Sequence, residues 1–87
     1  MINPYLAELA ACAVGEMHLR LAERVQRTRL TAAERVEAER LLEKADFALA
    51  GVVHTVPNTF ENDVFIGAAV TLHEHLENHL MRASHGQ

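Results

Sequence analysis

Three of the six histidines fall within one short run, His73-Glu74-His75-Leu76-Glu77-Asn78-His79, and that run is where chemistry would first be sought. On a helix, imidazoles at i and i+4 offer two ligands to one zinc ion, and His75 and His79 have that spacing. His73 and His75 lie about 160° apart around a helix and cannot chelate the same ion. A structural zinc needs two more ligands, and a catalytic zinc at least one more with a water. His18 and Glu16 are the donors another segment could supply, but they fall near its middle, not level with His75. There is no HExxH, no second cysteine and no ExxH pair of the di-iron bundle type. No metal and no cofactor is therefore assigned. The run reads first as structural or surface histidine. A pH-sensitive or ligand-contacting role comes second, and a zinc pair at His75 and His79 third. On the first reading, His73 and His79 flank Leu76 at a core edge, each with one hydrogen bond, and His75 faces outward.

The arginines are the second candidate. Six of the eight basic residues lie between Arg20 and Arg40. If the segments holding them are antiparallel, they gather at one pole, joined there by His79, Arg82 and His85. Arg24 projects onto an apolar side. An anion such as phosphate or carboxylate would be gripped by such groups, which makes Arg24, His75, His79 and Arg82 the candidate ligand residues. The alternative is local: arginine near a helix C-terminus complements the helix dipole, and Glu23, Glu34, Glu37 and Glu39 neutralise much of the patch.

Glu34, Glu37, Glu43 and Asp46 form an ExxE and an ExxD, the type of pair that holds magnesium in all-α nucleotide pyrophosphohydrolases. Those enzymes need the two pairs on facing helices. Here both fall on one segment, and they read as a solvated charged face. No Ser/His/Asp set, phosphate loop or activated cysteine is present, so the chain reads as non-enzymatic.

Three helices must position these groups. Asn3-Pro4 is a cap followed by proline at the first helical position, opening a helix over about 4–28. Its apolar face is Leu6, Ala10, Ala13, Val14, Met17, Leu21 and Val25. A second, thinner apolar line, Leu9, Cys12 and Leu19, is left over. Thr31-Ala32-Ala33-Glu34 is a capping box opening a helix over about 32–55. Ala38, Leu41, Leu42, Ala45, Ala48, Leu49, Val52 and Val53 form its main face, with Phe47 roughly opposite. Val56-Pro57 stops it. Asn58-Thr59-Phe60-Glu61 reads as a second capping box with Asn58 as cap, opening a helix over about 59–84. Phe65, Ala69, Leu72, Leu76 and Leu80 make its core stripe, with Ile66 and Ala68 at the shoulders; His85, Gly86 and Gln87 are expected to fray. The fold class is all-α: one domain over 1–87, with three long antiparallel helices sharing a seam.

Composition agrees. The chain is 49% hydrophobic but only 5% aromatic, rich in Ala and Leu, with four glycines and two prolines, which favours helix over strand. A net charge of -4 argues against binding nucleic acid non-specifically. The lone Cys12 excludes an internal disulfide. No stretch reads as a membrane span or a signal peptide, so the expected location is the cytoplasm.

The second half, two long helices meeting at Pro57-Asn58-Thr59-Phe60-Glu61, resembles phage proteins that sequester cyclic-nucleotide immune signals. The resemblance implies a symmetric oligomer that grips ligand phosphates with basic side chains and bases with aromatics. Its motif is the capping turn alone, and no ligand residue is carried over. The leading expectation is a homo-oligomeric binding protein using Leu9, Cys12, Leu19 and Phe47 at its interface. Its partner is a second copy of itself, an anionic small molecule such as a nucleotide, or another protein. No membrane partner is expected.

Overall fold

A computed structural model describes residues 4–85, with side chains described from Leu9 to Ala83. Three helices account for nearly all of it: α1 (Pro4–Arg27), α2 (Ala32–His54) and α3 (Phe60–His85). No strand occurs among the described residues. Asn3, Gly86 and Gln87 lie outside the described residues, and the side chain of Leu6, an expected core position, lies outside the described side chains; α3 runs through His85.

Burial fixes the directions. Leu21 and Val25 of α1 pack with Ala38 and Leu41 of α2 and with Leu76 and Leu80 of α3. About two to three turns earlier, Val14 meets Ala48 and Ala69. Helix α1 is therefore antiparallel to α2 and parallel to α3. The core is narrow and Ala-rich on α2, where Ala38, Ala45 and Ala48 are buried, so the axes can approach closely. The result is a rod of 46 × 17 × 16 Å. The α2–α3 hairpin is the more extensive pairing, and α1 meets each of the two over a smaller contact.

The helix ends follow their local chemistry. Thr31 caps α2 as a full capping box: its hydroxyl accepts from the Glu34 amide, and the Glu34 carboxylate accepts from the Thr31 amide at 2.8 Å. The α3 cap differs from expectation by one residue. Asn58 takes a positive φ of 65°, a conformation Asn tolerates better than most residues, and Thr59 becomes the cap. Its hydroxyl accepts from the Asn62 amide at 3.2 Å and donates to the Val56 carbonyl at 2.7 Å. Asn62 is buried and donates through Nδ2 to the Val52 carbonyl and Thr55 Oγ1, both at 3.1 Å. That side chain ties the start of α3 to the end of α2.

Several expected core positions face water instead. Ala13 and Met17 border an open cleft beside α1, Val53 turns outward one position after buried Val52, and Ala68 is exposed. Leu42, Leu49, Phe65, Ile66 and Leu72 are half-buried. In their place the interior holds Ala83 and two polar residues, Asn62 and His73. A three-helix rod encloses a stripe narrower than the apolar arc each helix carries.

Candidate functional site

The most concentrated chemistry sits midway along the rod, where each helix contributes one residue. His18 of α1 and His73 of α3 join Nδ1 to Nε2 at 3.0 Å, with ring centroids 5.2 Å apart and planes tilted by 40°. Asp46 of α2 approaches from the other side, its Oδ1 3.3 Å from His18 Nε2. His73 is 1% exposed, His18 is mostly buried and Asp46 lies at the surface.

The tautomers follow from this geometry. A carboxylate only accepts, so the proton of neutral His18 belongs on Nε2, toward Asp46. His18 Nδ1 is then the acceptor and His73 Nε2–H the donor. This leaves the lone pair on His73 Nδ1, an atom that is buried without a hydrogen-bond partner. Burial first, and His18 second, push the His73 pKa below its ordinary value of 6.5.

This arrangement was partly legible. His18 stands four residues after Val14 and seven before Val25, inside the apolar stripe of α1. His73 stands four after Ala69 and seven before Leu80. Both positions point inward on helical spacing; what the sequence left open was that they share a level. Asp46, read as part of a solvated charged face, does lie at the surface and also contacts His18.

The other candidates are distributed. His79 donates from Nε2 to the Glu34 carbonyl at 2.8 Å, fastening the far end of α3 to the start of α2. His75 and Arg82 are exposed. Arg24 lines a cleft of about 420 Å³ with Glu16, Met17, Arg20, Leu21 and Glu77. His79 faces α2 while that cleft lies beside α1, so Arg24 and His79 work on different flanks of α3. Three arginines are paired within their own helices: Arg20 with Glu16 at 2.7 Å, Arg27 with Glu23 at 3.8 Å, and Arg40 with Glu37. The hydrogen bond from Arg40 holds the exposed Glu37 carboxyl below its usual range. Among the described residues no group of three His, Cys, Asp or Glu side chains could hold a metal ion.

Leu9, Cys12, Leu19 and Phe47 all present exposed side chains. Val36, Val56, Phe60 and Val64, which lie outside the expected core, are exposed as well, and so is Val53, which the helical spacing had placed in it. Among the described residues no helix is long and apolar enough to cross a membrane. No protein-family model matches the chain, and comparisons with curated proteins and with solved structures returned no match.

Proposed function

We propose that the chain is a non-enzymatic helical binding protein that works as a homo-oligomer. The observation that carries this reading is apolar surface in excess. Large apolar side chains stand on that surface: Phe60 at 83% exposure, Val53 at 78%, Phe47 at 77% and Leu19 at 68%. A second copy is the occupant that supplies matching apolar area on every molecule, in closed symmetry. Sedimentation equilibrium tests it. A dimer or larger closed assembly is expected, reduced to monomer by Phe47→Asp or Leu19→Glu with helicity retained. A strict monomer at high concentration sinks the reading.

A second reading is supported by the cleft beside α1, whose volume lies within the range of small-molecule sites and whose walls join Met17 and Leu21 to Arg20 and Arg24. In it the protein sequesters an anionic small molecule, a nucleotide being the class that uses both an apolar floor and guanidinium groups. A thermal shift with a cyclic or linear nucleotide, lost in Arg24→Ala, supports it; no shift across a nucleotide panel removes it.

A further inference from the structure

We propose that the His18–His73 contact is an acid-operated latch: one added proton loosens α1 from the α2–α3 hairpin.

In the neutral arrangement, His18 Nε2–H points to Asp46 and His73 Nε2–H to His18 Nδ1. The remaining basic nitrogen is His73 Nδ1, buried and facing no acceptor. One proton can be added in two ways. If His73 becomes the cation, Nδ1 gains an N–H. If His18 becomes the cation, its Nδ1–H must donate to His73 Nε2, and the His73 proton shifts to Nδ1. Both routes end with an N–H on His73 Nδ1, buried with no protein acceptor, which is a costly state for a donor. Placing the charge on His18, next to Asp46, relieves the charge but not that donor. A second proton puts hydrogens on both nitrogens across 3.0 Å and breaks the contact.

No neighbouring group can absorb the change. From α1 the ionisable group facing His73 is His18; Glu16 and Arg20 are bonded to each other and border the outer cleft. From α2 it is Asp46, already at the far nitrogen of His18. On α3 itself Glu77, one turn on, borders the same cleft, while Glu74 and His75 are exposed. Relief therefore comes from separating the rings. Helix α1 is the element that moves, because α2 and α3 are held to each other by their longer contact, by Asn62 and by His79. Opening bares Val14, Leu21 and Val25 together with the inner face of the hairpin.

The test is amide hydrogen exchange of the full chain at about pH 7.5 and about pH 5, corrected for intrinsic rates and run at two protein concentrations. The expected result is exchange around residues 14–25 faster by about tenfold or more at the lower pH, with a smaller change over 38–52 and 69–80. The response is alike at both concentrations and is lost in His73→Leu. Imidazole ¹⁵N spectra of the unaltered chain are recorded in the same buffers. They should show His73 neutral with its proton on Nε2 at the higher pH, leaving that state in step with the opening of α1. Exchange of α1 that is insensitive to pH overturns the proposal. So does an equal response in His73→Leu, one that changes with concentration, or a His73 that gains its proton while α1 stays protected. If His73→Leu does not fold, the spectra and the exchange of the unaltered chain decide between these outcomes.

Discussion

Nε2 of His73 and Nδ1 of His18 meet at 3.0 Å, and through that contact a buried polar group of α3 depends on a residue 55 positions earlier. An apolar pair at these positions would be insensitive to pH. The imidazole pair makes global stability depend on it, with a definite sign. The His73 pKa is depressed in the folded state, so below about 6.5 the unfolded chain binds more protons than the folded one. Its contribution is complete above about pH 6.5 and declines as the pH falls below that value. The slope is at most about 1.4 kcal/mol per pH unit for one proton. Urea midpoints measured from pH 8 down to pH 5 check this, and His73→Leu should flatten the part of the slope that begins near 6.5.

The α2–α3 turn should be sensitive to Asn62. Its Nδ2 satisfies both the Val52 carbonyl and Thr55 Oγ1 from a buried position. Asn62→Ala removes the donor and leaves the Val52 carbonyl without it, at a cost of about 1–3 kcal/mol. Asn62→Asp should not rescue, since an ionised carboxylate cannot donate. Thermal unfolding of the two variants beside the parent chain measures the loss.

Glycine replacements should split in sign. A Cβ on Gly51 would stand 2.3 Å from the Phe65 ring, whereas one on Gly15 meets nothing within 4 Å. Alanine gains about 1 kcal/mol over glycine inside a helix. At Gly15 that gain is kept, and Gly15→Ala should stabilise. At Gly51 the ring must be displaced, at about 1–3 kcal/mol for overpacking, so Gly51→Ala should be neutral to destabilising. Chemical denaturation of both variants tests the contrast, and equal stabilisation would show that Phe65 moves freely.

Thr31→Ala should cost about 0.5–2 kcal/mol, the usual loss for an N-cap, because it removes the hydroxyl that accepts from Glu34. Thr31→Asp should restore most of it, since a carboxylate accepts from the same amide. Midpoints of thermal unfolding measure both.

The sequence by itself determined the helices and most of their boundaries, because caps, prolines and helical spacing act over a few residues. Thr31 with Glu34 and the Val56-Pro57 stop need no distant partner to be recognised. The exchange of Asn58 for Thr59 as cap of α3 shows the limit even there. Both residues can cap, but Asn58 takes a positive φ rather than the extended conformation of a cap, and the Thr59 hydroxyl receives the Asn62 amide. The stripes Val14–Leu21–Val25, Ala38–Leu41–Ala45 and Ala69–Leu76–Leu80 were legible for the same local reason. Tertiary structure decided which part of each apolar arc is enclosed, leaving Met17 and Val53 in solvent, and which polar residues share a level. His18, Asp46 and His73 are far apart in sequence on three helices, and no local rule sets the relative axial offset of helices. Packing sets it, and so decides that two inward-pointing imidazoles meet each other.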